Sequence, residues 1–175
     1  MAQYNIIAEN ENYTIVSDYQ AVYRTSEKYQ TEAQLEQELI KNLTEQGYEY
    51  LAIHTEKDLV DNLRVQLQRL NDYTFTDSEW KRFFNDVIAN QNEGIEAKTT
   101  KIQEDHIQVL KRDTGETKNI YLIDKRNIHN NYLQVINQYE EEQGNHDARY
   151  DVSILVNGLP LVHVELKRRG VQLKE

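Results

Sequence analysis

The feature that most constrains the fold lies near the end of the chain, where residues 148–168 read ARYDVSILVNGLPLVHVELKR. Two runs of alternating apolar and polar residues flank a turn at 157–159, a pattern typical of a β-hairpin. One predicted face is apolar and carries Val152, Ile154, Val156, Val162, Val164 and Leu166. The opposite face carries Asp151, Ser153, Leu155, Leu161, His163, Glu165 and Lys167.

The alternation also determines the register of the hairpin. A slip of one residue would turn one strand's side chains to the other face, so paired positions must sum to an even number. A three-residue loop over 157–159 meets this condition and sets Asp151 opposite Glu165, with Lys167 two residues further along the same face. We therefore predict that two carboxylates and one ammonium converge at this end of the hairpin, as a candidate active site.

This trio suits metal-dependent hydrolysis of a phosphodiester. Asp151 and Glu165 offer hard oxygen ligands for Mg²⁺, and the backbone carbonyl of Leu166 is a candidate further ligand. The metal would polarise the phosphoryl group and activate a bound water, while Lys167 would orient that water or stabilise the developing charge. The simpler interpretation is a solvated edge hairpin with a weak Glu165–Lys167 ion pair, and the residues alone leave both open.

The composition limits the function classes further. A length of 175 residues suits a single domain over 1–175, with a helical insertion predicted at 57–92. The sequence lacks cysteine and any G-x-x-x-x-G-K-[ST] motif, which argues against disulfides, thiolate metal sites and ATP binding within it. It also lacks a signal peptide and any apolar run near 18 residues, so we expect a cytoplasmic protein without membrane contact.

The net charge of −10 has the wrong sign for a domain that grips DNA by itself. Either a larger assembly presents the DNA to this chain, or the chain does not act on nucleic acid. The cations nearest the candidate site are Lys167, Arg168, Arg169 and Lys174, although such a run is most often a solvated surface. The acidic segment 140–145 enters the first strand of the hairpin, where it would either border the site or simply aid solubility.

Apolar periodicity predicts the remaining elements. Leu35, Leu39 and Leu43 repeat at helical spacing after Thr31, a plausible N-cap, and a capping box spans Thr76 to Glu79. The predicted helices cover 31–46, 57–70 and 76–90. The predicted strands cover 48–53, 131–139 and a hairpin of 102–110 with 119–123 around a turn at 113–116, with weaker strands within 1–30.

The five histidines are dispersed, so the sequence does not predict a zinc site. His163 alone shares a predicted face with Glu165, where it would assist proton transfer. A histidine held by structural hydrogen bonds is the simpler interpretation.

The stretch RYDVSILVNGLPLVHVELKRRGV resembles the nuclease motif at the start of the R (restriction and motor) subunit of type I restriction enzymes, which is a PD-(D/E)xK nuclease. NLRVQLQRLNDYTFTDSEWKRFF and NIHNNYLQVINQYE also resemble that family's N-terminal region. The resemblance implies an α/β, restriction-endonuclease-like fold, with a mixed central sheet flanked by helices. It maps the catalytic aspartate and the E-x-K motif onto Asp151, Glu165 and Lys167. It also implies that the first helix can contribute a carboxylate, for which Glu36 and then Glu32 are the candidates, each with a solvated glutamate as the alternative.

By this resemblance, the function expected is Mg²⁺-dependent cleavage of double-stranded DNA, together with modification (methyltransferase) and specificity subunits. ATP would serve only the motor of such an enzyme, which this sequence does not contain. Family members carry a Q-x-x-x-Y element soon after E-x-K; this sequence ends at Glu175 before that point, so we expect it to be the N-terminal part of a longer chain. Two alternatives stay open: a resolvase-like or standalone PD-(D/E)xK nuclease, and a catalytically silent interaction module of a DNA-processing complex.

Overall fold

The computed structural model describes residues 5–9, 14–17, 30–141 and 148–168. The strands are β1 (Asn5–Glu9), β2 (Thr14–Ser17), β3 (Glu49–Tyr50), β4 (Ile107–Lys111), β5 (Thr117–Tyr121), β6 (Leu133–Glu141), β7 (Ala148–Val156) and β8 (Leu159–Val164). The helices are α1 (Glu32–Glu45), α2 (Glu56–Asn71), α3 (Asp77–Phe83) and α4 (Ile95–Gln103), with a π-helical turn at Phe84–Ile88 and a 3₁₀ turn at Ile128–Asn130.

The central sheet has four strands in the order β3-β6-β7-β8. β3 runs parallel to β6, whereas β6, β7 and β8 are antiparallel neighbours, so the sheet is mixed. β1 with β2 and β4 with β5 form separate two-stranded antiparallel pairs. This arrangement confirms the predicted α/β class with a mixed central sheet. Among the described residues, no helix is both long and apolar enough to cross a membrane.

Apolar side chains cover both faces of the two inner strands. On the face that we call the α1 face, Val135 and Val152 pack against Leu43 of α1. On the other, the α2 face, Ile136 and Leu155 pack with Leu59 of α2 nearby. Burial at roughly 25 cal/mol per Å² of apolar surface makes this two-sided coverage the main reason that β6 and β7 are central.

A third apolar cluster joins α2, α3 and the β4–β5 pair beside the sheet. It contains Leu63, Leu67, Phe75, Trp80, Phe83, Leu110, Ile120, Leu122 and Leu159. Leu159 begins β8, so this cluster holds the turn end of the β7–β8 hairpin. Gly158 lies against α2 so closely that a Cβ there would come within 2.6 Å of the Leu63 Cα.

The predicted helices are confirmed, with differences at their ends. Thr31 and Thr76 each cap a helix through a capping box, and Gly47, at φ +95°, follows the end of α1. The third helix is α-helical only to Phe83 and continues as the π-helical turn. Two weak strands predicted within 1–30 are present as β1 and β2, and residues 18–29 lie outside the described part of the chain.

Two strand predictions were wrong in extent. The stretch 48–53 is β-paired only at Glu49–Tyr50, and the strand predicted from Ile102 begins at Ile107, because Ile102 belongs to α4. Ile95 and Ile102 are seven residues apart, a helical spacing that follows Gly94 at the N-cap. That spacing was the signal available in the sequence for this helix.

Candidate active site

The hairpin that carries the predicted site has a tighter turn than its sequence pattern predicted. Val156 pairs with Leu159, so the loop is the two residues Asn157 and Gly158 and not 157–159. Both have positive φ, +52° and +81°, as a type I′ turn requires and as Asn-Gly favours. Below this turn, Leu161 is an extra residue, because Leu155 pairs with Pro160 and Ile154 with Val162.

This β-bulge restores the register that the alternation predicted. After a two-residue turn alone, the numbers of two paired residues add up to an odd value. The additional residue shifts the pairing by one, so that they add up to an even value. From the bulge onward the pairs are even-sum, including Ser153 with His163 and Val152 with Val164. The predicted register is therefore confirmed as far as the Val152–Val164 pair, which directly precedes Asp151 and Glu165 at this end of the hairpin, although the predicted loop is wrong.

The turn is anchored by the side chain of Asn157, which is almost fully buried. Its Nδ2 donates to the Leu122 carbonyl at 3.0 Å and to the Asn131 Oδ1 at 2.8 Å. Its Oδ1 accepts from the Tyr132 backbone N–H at 2.8 Å. These bonds satisfy the buried amide and fix the turn to the rest of the sheet, which orients the hairpin's far end.

At that far end, the structure brings Asp151, Glu165 and Lys167 together. The Leu166 backbone N–H donates to Asp151 Oδ2 at 2.6 Å, which ties β7 to the segment that follows β8. Lys167 Nζ lies 2.5 Å from Glu165 Oε1. The Leu166 side chain packs with Val152 and Val164 on the α1 face. The two carboxylates and the ammonium thus sit around one short piece of backbone.

The charge of Lys167 is stabilised by several neighbours. Its hydrogen bond to Glu165 is the largest influence and raises the pKa of the ammonium, partial burial opposes it, and the charges of Glu165, Glu32 and Asp151 raise it further. These contacts favour the charged form of Lys167. Because the Glu165 side chain is 66% exposed, we expect this pair to add little to folding stability.

The two glutamates of α1 lie in different surroundings. Glu32 Oε1 accepts from the Arg168 backbone N–H at 3.5 Å and adds to the charge around Lys167. Glu36 is buried, and its carboxylate accepts from Asn137 Nδ2 at 2.5 Å and from Gln138 Nε2 at 3.2 Å. The interpretation of Glu36 as a solvated surface residue is therefore wrong. Sequence reasoning also missed Asn137 and Gln138 as its partners.

His163 lies on the α2 face of the hairpin. Its Nδ1 is 2.8 Å from Ser153 Oγ, and its ring stacks on Tyr150 with centroids 4.0 Å apart. Together with Leu59 and Tyr139 it borders a cavity of about 310 Å³. These contacts are those of a histidine held in place by its neighbours, and a role in proton transfer stays a prediction.

The donor set at the hairpin end suits a hard cation. Mg²⁺ usually takes one or two carboxylates and completes its octahedron with water, so Asp151, Glu165 and the Leu166 carbonyl fit that preference. Among the residues that the structure describes, no group of three or more acidic or histidine side chains is placed to hold a metal ion. Of the predicted neighbouring cations, Arg169 and Lys174 lie outside the described residues, as do the side chains of 140–145.

Most of the chain is similar to known proteins. The family described as "Type I restriction enzyme R protein N terminus" matches residues 29–175. The type I restriction enzyme EcoprrI endonuclease subunit of Escherichia coli is 45% identical over 170 residues, which cover 97% of this chain and 54% of that protein. The corresponding SsaAORF53P subunit of Staphylococcus saprophyticus is 38% identical over 84% of this chain and 16% of its own length. The chain thus spans about half of one relative and a smaller part of the other.

Proposed function

This chain belongs to the family of type I restriction enzyme R protein N termini, and from that membership we propose that it is the DNA-cleaving region of such an enzyme. The observation that carries the proposal is the convergence of Asp151, Glu165 and Lys167 around the Leu166 backbone at one end of the β7–β8 hairpin. Its relatives are named endonuclease subunits of type I restriction enzymes, which favours this assignment over a resolvase-like or standalone nuclease.

Each residue of the site has a distinct proposed task. Asp151 and Glu165, with the Leu166 carbonyl, would hold Mg²⁺, which when bound polarises the phosphoryl group and makes a coordinated water more acidic. The bond from the Leu166 N–H fixes one Asp151 oxygen, and each oxygen keeps a lone pair for a ligand. Lys167, whose pKa is raised, would stabilise the negative charge that develops on the phosphate.

The net negative charge of the chain affects how DNA can reach the site. A net charge of −10 disfavours independent binding to a polyanion. We propose that double-stranded DNA is presented by the larger restriction complex, with its modification and specificity subunits, and that this chain contributes the cleavage chemistry. ATP would be used by the motor of the longer R subunit.

A calorimetric titration with Mg²⁺ or Mn²⁺ tests the proposed site. The wild-type chain is compared with the double variant Asp151→Asn/Glu165→Gln, which removes two negative charges at the hairpin end. The matched control is Asp61→Asn/Glu116→Gln, which removes two charges from exposed ion pairs elsewhere. We expect metal binding in the wild type and the control, and none in the site variant.

The net charge also favours a second candidate, a catalytically silent module that docks onto a DNA-processing complex. Metal binding that is equal in the site variant and the control would support this candidate. The same result would contradict the proposed assignment of Asp151 and Glu165.

A further inference from the structure

The central sheet departs from regular side-chain alternation beside the candidate site. On β6, Ile136 and Tyr139 both belong to the apolar cluster on the α2 face. Residues three apart in a regular strand point to opposite faces, because the side-chain period is two. The alternation of β6 is therefore offset by one residue between Ile136 and Tyr139.

The neighbouring strand has the same offset at the matching position. Ser153 Oγ and the Tyr150 ring both contact His163, so these two residues, also three apart, lie on one face of β7. Ser153 pairs with Ile136 and Tyr150 with Tyr139, so the two offsets face each other across the ladder.

Asp151 and Val152 occupy the two positions between Tyr150 and Ser153. Val152 packs on the α1 face. Asp151 follows Tyr150 of the α2 face and accepts from the N–H of Leu166, in a segment that lies beside α1, because the Arg168 N–H donates to Glu32 of that helix. Regular alternation continued from Val152 would instead turn Asp151 to the α2 face, towards the cavity beside Tyr150.

The backbone of Gln138 marks where the offset occurs. Gln138 lies between the paired residues Asn137 and Tyr139 and has φ +51°, in the left-handed region. A residue with a Cβ rarely adopts this conformation, which persists only where the surroundings enforce it. The buried carboxylate of Glu36 supplies that constraint, since it accepts from the amides of both Asn137 and Gln138.

We propose that Gln138 is a positioning residue for Asp151: its left-handed backbone, held by Glu36, offsets the sheet so that Asp151 faces α1, beside Lys167. The importance of this arrangement for catalysis rests on the proposed function. If Asp151 and Glu165 bind one metal ion, the direction of the Asp151 side chain decides whether the two carboxylates can share it. Glu36 acts here through the strand and not as a ligand itself.

Two variants of one residue separate the backbone effect from the side-chain effect. Gln138→Gly loses the amide but adopts positive φ freely, whereas Gln138→Val strongly disfavours it. NMR on the whole 175-residue chain provides two readouts independent of metal and cleavage. One is the nuclear Overhauser contact between the Tyr150 and His163 rings, and the other is hydrogen-exchange protection of the Leu166 amide.

We expect Gln138→Gly to keep both signals. In Gln138→Val the ring contact should be lost, and the Leu166 amide should exchange roughly tenfold faster or more, as loss of its hydrogen bond implies. Unchanged protection of the Val135 and Leu155 amides controls for folding. If Gln138→Val does not fold, Glu36→Gln replaces it, because an amide accepts at one atom where the carboxylate accepts at two. We expect that variant to weaken both signals.

A folded Gln138→Val, or its substitute Glu36→Gln, that retains both signals would overturn the proposal. So would a variant that loses both signals yet binds Mn²⁺ as the wild type does, since the direction of Asp151 would then not matter to the metal. Failure of the wild type to bind metal would contradict the proposed function alone, and the two NMR signals would still decide whether Gln138 directs Asp151.

Discussion

Two clusters of carboxylates in this molecule differ in how many hydrogen bonds they accept from the protein. The first lies at the β4–β5 turn, where Asp113 meets the start of α3. Asp113 Oδ2 accepts from the hydroxyls of Thr76 and Ser78, both at 2.5 Å, and its Oδ1 accepts from Arg82 at 2.6 Å. These bonds, led by that of Ser78, lower the pKa of Asp113 from 3.8 to about 2.

Glu79 extends the same cluster into the protein. Its Oε1 accepts from the Asp113 N–H at 3.0 Å, and its Oε2 accepts from the Thr76 N–H at 3.1 Å and the Tyr73 hydroxyl at 2.8 Å. Burial raises the pKa of Glu79, but these three donors outweigh it and hold the pKa below its ordinary value. The carboxylate thus fastens the β4–β5 turn to α3.

The second cluster is the candidate site. Within the described part of the chain, Asp151 accepts one bond, from the Leu166 N–H, and Glu165 pairs with Lys167 at the surface. Carboxylates saturated by protein donors thus serve the fold, whereas those with spare lone pairs are available to a ligand.

The largest effect is expected from Asp151→Asn in an R subunit that contains this chain. Metal-dependent nicking of plasmid DNA should fall by more than about 100-fold, because a neutral amide replaces a carboxylate that we propose as a metal ligand. Asp113→Asn makes the same chemical change in the saturated cluster and should leave nicking within a few-fold of the wild type. Retained nicking in Asp151→Asn, or equal loss in both variants, would remove the distinction between the clusters.

Glu79→Gln should lower the free energy of unfolding by roughly 1–3 kcal/mol, because one amide oxygen cannot satisfy the three donors that the carboxylate accepts. Urea denaturation of the chain provides the measurement. Calorimetric metal binding should be unchanged, and a loss of binding would show that the two clusters are coupled.

Acid should weaken the β4–β5 cluster in a defined range. The pKa of Asp113 is about 2 in the folded chain against an ordinary 3.8, so its contribution is complete above about pH 4 and is lost as the pH falls towards 2. Urea denaturation from pH 5 to pH 2 should therefore show a smaller pH dependence in Asp113→Asn than in the wild type. Parallel profiles would mean that Asp113 contributes nothing to acid sensitivity.

The smallest effect on stability is expected from Lys167→Met. Its ion pair with Glu165 lies at the surface, so unfolding by urea should match the wild type within error. Nicking should nonetheless fall, because the charge that we propose to stabilise the phosphate is gone. A clear loss of stability would show that Lys167 stabilises the fold, and the second cluster would then have the same structural role as the first.

Much of the site was predictable from local sequence. Alternation along 152–156 and 162–166 sets Asp151 and Glu165 at the same end of the hairpin, because a one-residue slip would bury polar side chains. The same alternation predicted that Asp151 shares a face with Ser153, and that prediction was wrong because both inner strands are offset beside Gln138. The caps at Thr31 and Thr76 depend only on residues three positions away, and both are present as predicted. Metal binding and the roles of Asp151, Glu165 and Lys167 stay predictions.

Features that depend on contacts between distant segments were decided by the tertiary structure alone. Asn-Gly by itself favours the two-residue turn, but the position of that turn in the molecule relies on Asn157 bonding to Leu122 and Asn131. The burial of Glu36 relies on Asn137, which is 101 residues away. Alternation of apolar and polar residues predicts which face of a strand is apolar, because it depends only on residues that are close in the sequence. The backbone of Gln138 turns left-handed only where α1 packs against the sheet, and no local pattern encodes that contact.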